Sequence, residues 1–158
     1  ERYAYLYSKE IKLDSAYLDE SLADSIDREP FIAHFTYMCK KIVIRQVHLV
    51  PASKNPQYEV SQLYKYKDGI ICGDFNLTSN HLIYIPLLTY FQCPLKGLPT
   101  TFKTDGSISK NSYDHFFVEK GINDYSFSEL SQIVESNGGK LLGAFVSKMN
   151  TDLSFHSP

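Results

Sequence analysis

Six stretches of the chain either alternate apolar with polar side chains or run apolar without a break: RYAYLYS (2–8), PFIAHFTY (30–37), KIVIRQVHL (41–49), GIICGDF (69–75), YDHFFVEK (113–120) and KLLGAFVSK (140–148). Successive side chains of a strand point to opposite faces, so a repeat of two marks a half-buried strand, and a short unbroken run suits one covered on both faces. These stretches predict a sheet-dominated core. Two others predict helices. In NPQYEVSQLYKY (55–66) Asn55 is placed as N-cap and Pro56 in the first turn, and SFSELSQIVESNGG (126–139) offers a Ser126–Glu129 capping box and a glycine stop. A third segment, NHLIYIPLLTYF (80–91), fits helix or irregular chain, because Pro86 interrupts its pattern. From Lys12 to Glu29 acidic residues outnumber basic ones and no dense apolar pattern appears, which predicts a long surface loop. With no repeat and no low-complexity linker, residues 1–158 read as a single α+β layered domain.

The chain has 158 residues, 43% of them hydrophobic, enough for one core and too few for two domains. No apolar run approaches the roughly 18 residues that span a bilayer, and no charged-then-apolar leader opens the chain. The expectation is a soluble domain with no membrane span and no signal peptide in this chain. Glu1 stands where Met would open a gene product and ERYAYLYS already reads as a strand, so the chain is expected to begin inside a larger protein. A net charge of −2 spreads no general basic field, and a nucleic acid would have to be held by a few local cations or a metal. The cysteines lack close spacing, and Cys39 and Cys72 lie in apolar strand contexts, which predicts reduced thiols without a disulfide or zinc framework.

Candidate chemistry sits at strand ends, where side chains from distant segments can meet at one rim of a rigid scaffold. Five stretches place polar groups there: DREPF with Arg28 and Glu29, VHLVPAS with His48, CGDFN with Asp74 and Asn76, SYDHFF with Asp114 and His115, and SFHSP with His156. Each has a plain structural reading. Arg28 and Glu29 could form a solvated ion pair, His48 could be a satisfied half-buried side chain, Asp74 a turn acid, and Asp114 an edge charge that deters strand pairing. If every one of them were incidental, Asp74 and Asn76 would face separate surroundings.

Taken in order, ERYAYLYS, REPFIAHF, VHLVPAS, GDFN, PTTFK, SYDHFFV and SFHSP resemble the endonuclease/exonuclease/phosphatase superfamily, and within it the pancreatic deoxyribonuclease-like branch. The matching pieces cover nearly the entire chain at roughly family separations. GDFN alone is moderately specific, but its combination with REPF upstream and TTFK and YDHFFV downstream is strong. The resemblance implies a deoxyribonuclease-like, four-layered α/β sandwich: two mainly antiparallel sheets flanked by helices, with the site at one rim. This chain would be N-terminally incomplete, the C-terminal two-thirds of such a domain. It would hydrolyse phosphodiesters, with DNA as the expected partner, using Mg²⁺ or Mn²⁺, with Ca²⁺ as a structural option.

Phosphodiester hydrolysis needs an activated water, charge stabilisation at a five-coordinate phosphorus and capture of the leaving oxygen. By the resemblance, His156 would be the base and Asp114 its orienting partner, while His48, held by Glu1, would donate on the leaving-group side. Glu1, Asp74 and Asn76 would contribute to a metal site, the strand period aiming Asp74 and Asn76 the same way. Substrate phosphate would meet Arg28, Asn76, Thr100 and Thr101. Two departures from the pattern matter. The family's first-strand asparagine and following metal-binding glutamate would precede Glu1, and its terminal Ser-Asp-His becomes Ser154-Phe155-His156. Phenylalanine cannot ligate a cation, so weak metal binding and slow hydrolysis are expected of this chain alone. The alternatives are a catalytically impaired pseudoenzyme or binding module of the same fold, and a lipid or inositol phosphodiesterase. Strand 2–8, short of sheet partners, would leave an edge open to self-association.

Overall fold

The computed structural model describes residues 3–37, 39–100 and 110–121. Six strands form one mixed sheet: β1 (Lys12–Leu18), β2 (Phe31–Tyr37), β3 (Lys40–His48), β4 (Ile70–Asp74), β5 (Phe91–Gln92) and β6 (Asp114–Glu119). Their order across the sheet is β1-β2-β3-β4-β6-β5. Every pairing is antiparallel except that of β3 with β4, which is parallel. Helix α1 (Pro56–Gln62) lies in the crossover between those two parallel strands, and α2 (Leu87–Tyr90) precedes β5. The α+β class is as the sequence predicts. The second sheet of the expected sandwich is not among the described residues, and the expected helix 126–139 and strand 140–148 lie outside them.

The core occupies one face of the sheet. Alternation by two puts Val43 and Val47 of β3 on the same side as Ile71 of β4 and Phe117 of β6, and there they cluster with Val60, Leu63, Phe75, Tyr84 and Leu87. Each such side chain taken fully out of water contributes about 1.5–3 kcal/mol. Arg45 shares this face and is buried, yet its charge is matched: the guanidinium donates to the Asp68 carbonyl at 2.6 Å and carboxylate at 2.7 Å, and lies 4.4 Å over the Tyr66 ring.

Two expectations near the N-terminus are corrected. Residues 12–18 are not loop but strand β1, six of whose seven residues are exposed, so no apolar alternation was there to be read. Backbone pairing to β2 holds this edge strand, with a register shift between Leu13 and Ser15. Conversely, residues 3–8 of the predicted strand 2–8 belong to no ladder. Their alternation reflects ring packing instead. The Tyr5 hydroxyl lies 2.7 and 2.9 Å from the carbonyl oxygens of Phe31 and Ile44, and its ring stacks on Phe31. The sheet edge is therefore β1, not the segment around Tyr5. Two smaller points follow at helix starts. Asn55 precedes α1 as predicted but is left-handed (φ 59°) and makes no side-chain cap bond. Segment 80–91 breaks at its proline into a 3-10 turn, Leu82–Tyr84, and then α2, with Pro86 at the N-cap.

Near the ends of β3 and β4 Val47 pairs with Gly73. A Cβ on Gly73 would press into the Val47 carbonyl oxygen, and the backbone there holds φ +139°, a conformation that strains any L side chain. Gly73→Ala is expected to cost about 3 kcal/mol or more. The urea midpoint of unfolding reads this directly, and an unchanged midpoint would show that the strands separate there at no loss.

Candidate active site

One rim of the sheet collects the ends of three strands. Parallel register sets His48, the last residue of β3, beside Asp74, the last of β4, and antiparallel register sets Asp74 opposite Asp114, the first of β6. His48 Nε2 stands 4.0 Å from Asp74 Oδ2. Beyond His48 the Leu49 N–H donates to the Asp74 carbonyl at 2.9 Å, which keeps the two strands joined to the rim.

The chain then turns at once. Asp74 Oδ1 accepts the Asn76 backbone N–H at 2.8 Å, an acid-closed turn of the kind short polar side chains favour. Asn76 adopts the left-handed conformation (φ 49°), which asparagine tolerates better than most residues. Its side-chain nitrogen donates to the Leu49 carbonyl at 2.9 Å. With the nitrogen so committed, the carboxamide oxygen is left as an acceptor. Asp74 and Asn76 thus belong to a single constellation, not to separate surroundings.

Further groups stand behind this front. Arg28 donates from Nη1 to the His48 carbonyl at 3.2 Å. Thr100 is buried, and its hydroxyl oxygen accepts from the Tyr113 and Asp114 backbone N–H groups at 3.0 and 2.9 Å. It therefore sits beneath Asp114, engaged with the start of β6. Of the remaining residues singled out in the sequence, Glu1, Thr101 and His156 lie outside the described residues, as does Phe155.

Glu59 on α1 was not singled out from the sequence. Its buried carboxylate accepts the Asp27 N–H at 2.7 Å and the Val50 N–H at 2.8 Å, tying the segment that carries Arg28 to the one that follows His48. The signal was present. Pro56, Glu59, Val60 and Leu63 form one buried helical stripe, in which a lone acid needs partners.

Electrostatics at the rim turn on two carboxylates. Asp114 keeps solvent contact at the strand end, but the protein around its carboxyl and then the charge of Asp74 push its pKa up from 3.8 to about 6, against smaller opposing effects from Thr100 and His48. Paired acids and a carboxamide oxygen are donors suited to a hard cation such as Mg²⁺. Among the described residues, however, no three His, Cys, Asp or Glu side chains group closely enough to hold a metal. Asp74, Asp114 and the Asn76 oxygen therefore supply too few donors to cage a cation by themselves. A groove of about 740 Å³, lined among others by Lys12, His34, Lys41, Asp68 and Glu119, opens at the opposite end of the strands, and its mixed charges complement no single ligand. None of the described helices is long and apolar enough to cross a membrane.

No protein-family model matches the sequence, and no curated protein matches it. Among solved structures the fold is similar to a humanized D. rerio TDP2 bearing 14 mutations, at 14% identity and a TM-score of 0.51, over 72% of this chain and 55% of that one. It is also similar to D. rerio TDP2 complexed with single strand DNA product, at 17% identity and a TM-score of 0.50, over 70% and 54% of the two chains. An endonuclease/exonuclease/phosphatase family protein from Bacteroides thetaiotaomicron overlaps it at 13% identity and a TM-score of 0.49, over 70% and 52%. The chain spans a little over half the length of these solved structures. At such identities the likeness is one of fold: a mixed α+β arrangement with a six-stranded sheet, consistent with the deoxyribonuclease-like fold that the sequence resemblance implies.

The raised pKa of Asp114 has a definite sign. The folded protein holds this proton more tightly than the unfolded chain does, so stability falls as pH rises from 3.8 through about 6. Asp114→Asn removes the ionisation. Urea midpoints of the two proteins are expected to coincide below that window and to favour the variant above it, whereas a variant less stable at neutral pH would reverse the assignment.

Proposed function

We propose that this chain carries the reacting centre of a divalent-metal-dependent phosphodiester hydrolase acting on nucleic acid, with DNA the first substrate to try. The observation that supports the reading best is the convergence of His48, Asp74, Asn76 and Asp114 at one rim, set by strand register from three separated stretches. The fold neighbour complexed with single strand DNA product adds support for a nucleic-acid substrate.

Each side chain has a task its chemistry suits. Asp74 and the Asn76 carboxamide oxygen would hold Mg²⁺ or Mn²⁺, with Glu1 a further candidate ligand, and the bound cation supplies neutralisation of phosphate charge. His48, beside the Asp74 carboxylate, can keep a proton ready for a phosphate or leaving-group oxygen. Asp114 near pH 6 passes between its two protonation states, and in this reading it orients His156, the candidate base. Arg28, which donates to the His48 carbonyl, would offset phosphate charge in this reading. Thr100 and Glu59 act from behind, holding Asp114 and the Arg28 segment in place. Thr101 remains a candidate phosphate donor.

A second reading has its own motivation. Phe155 stands where the resemblance expects an aspartate beside the metal, so the same rim could bind nucleic acid with turnover impaired.

Nicking of supercoiled plasmid in Mg²⁺ or Mn²⁺ tests both. His48→Ala and Asp74→Ala are each expected to slow turnover about 10²–10⁴-fold. Equal activity in parent and variants would overturn the proposed centre. Turnover gained by Phe155→Asp in a weakly active parent would favour the impaired-enzyme reading, and preference for a lipid headgroup diester in parallel assays would move the substrate class.

A further inference from the structure

His115 follows Asp114 in β6, so it points to the other face of the sheet, away from the rim and toward the core. It is fully buried. Phe75, Tyr84 and Phe117 surround its ring, with centroids 5.3, 5.6 and 6.1 Å away. A neutral, apolar side chain would fill such a cage at less cost, since a buried polar group must find a partner. Its partner is specific: His115 Nε2 lies 2.7 Å from the Leu77 carbonyl oxygen, 38 residues earlier in the chain. A carbonyl only accepts, so Nε2 carries the proton; burial favours the neutral ring, which leaves Nδ1 bare and without a hydrogen-bond partner among the described residues.

Leu77 is the residue after Asn76. The turn that carries Asn76 is fastened in front by two bonds, Asn76 N–H to Asp74 Oδ1 and Asn76 Nδ2 to the Leu49 carbonyl. One runs to Asp74 at the rim and the other to the backbone of Leu49, the residue after His48. The bond from His115 attaches the turn from behind, beside a longer one from the Tyr84 hydroxyl to the same carbonyl at 3.2 Å, and it comes from the strand that also bears Asp114. A left-handed, non-glycine residue persists only where its surroundings over-determine it.

We propose that His115 is a positioning residue: its Nε2–H grips the Leu77 carbonyl, fixes the left-handed turn, and so aims the Asn76 carboxamide into the rim that Asp114 enters from the same strand. The inference rests on the proposed function for its catalytic consequence. Its structural half stands apart from that reading, because exchange at the turn reads the shorter of the two bonds to Leu77 whether or not the rim is catalytic.

His115→Phe keeps the ring and the cage but removes the donor, and His115→Gln puts an amide N–H near the same point. Hydrogen exchange of residues 75–79 is expected to quicken in the Phe variant and to return toward the parent in the Gln variant. In plasmid nicking, the Phe variant is expected to lose about 10–100-fold in turnover, the usual effect of removing a group that orients a reacting one. That loss is expected to show in kcat, to be largely recovered by Gln, and to shrink when Asn76→Ala is already present, since His115 acts through Asn76. Unchanged exchange and turnover in His115→Phe would overturn the proposal, as would an undiminished loss in the Asn76→Ala background. Should the Phe variant fail to fold, nitrogen NMR of the unmutated protein tests the bond itself: a proton on Nε2 is required, and a bare Nε2 refutes the proposal. If the parent shows no turnover on any diester, the proposed function falls while the exchange result still judges His115.

Discussion

The rim depends first on how closely β3 and β4 run together at Val47 and Gly73. Only a residue without a Cβ fits against the Val47 carbonyl there, and only glycine holds that φ without strain. The next pair along this parallel register is His48 with Asp74, and the antiparallel register of β4 with β6 adds Asp114 opposite. A slip by one residue would turn each of these side chains to the wrong face. Close approach of two backbones, held by a single glycine, therefore comes before any chemistry the side chains perform.

Behind that front lies a set of polar groups whose work is to hold others. Glu59 accepts two backbone N–H groups from segments that flank the rim, Thr100 accepts two at the start of β6, and His115 reaches the turn after Asn76 from below. These bonds run largely from side chain to backbone, so they fix the path of loops that no sheet ladder reaches. The cost of burying Glu59 and Thr100 is offset because each meets specific partners, while His115 satisfies Nε2 and leaves Nδ1 without one among the described residues. The result is a rim that can place two acids near one another, with the protein around the Asp114 carboxyl, and then Asp74, keeping its proton bound above the usual carboxylate range.

Strands β2, β3, β4 and β6 were legible because burial on one or both faces leaves a mark in the pattern of side chains. β1 was not: an edge strand with most side chains in water looks like a loop, and what makes it a strand is hydrogen bonding to β2, which side-chain identity scarcely records. The opposite error came at residues 3–8, where tyrosines alternate because their rings lie on Phe31 and Phe35. At the site, residue types and their strand-end positions were readable for His48, Asp74, Asn76 and Asp114. For Glu59 the stripe of Pro56, Val60 and Leu63 marked a buried acid, but the backbone groups it holds are set by the tertiary structure.

The sequence by itself determined which segments are buried, where turns are possible, and which side chains are capable of acid–base or cation chemistry, because burial period and turn preference are local properties. The tertiary structure alone decided that His48, Asp74 and Asp114 share one rim, that Thr100 and His115 stand behind it, and that the Asn76 nitrogen is spent on Leu49. Pairing and register join residues tens of positions apart. Their choice depends on how whole strands pack together, and no short stretch of chain contains that information.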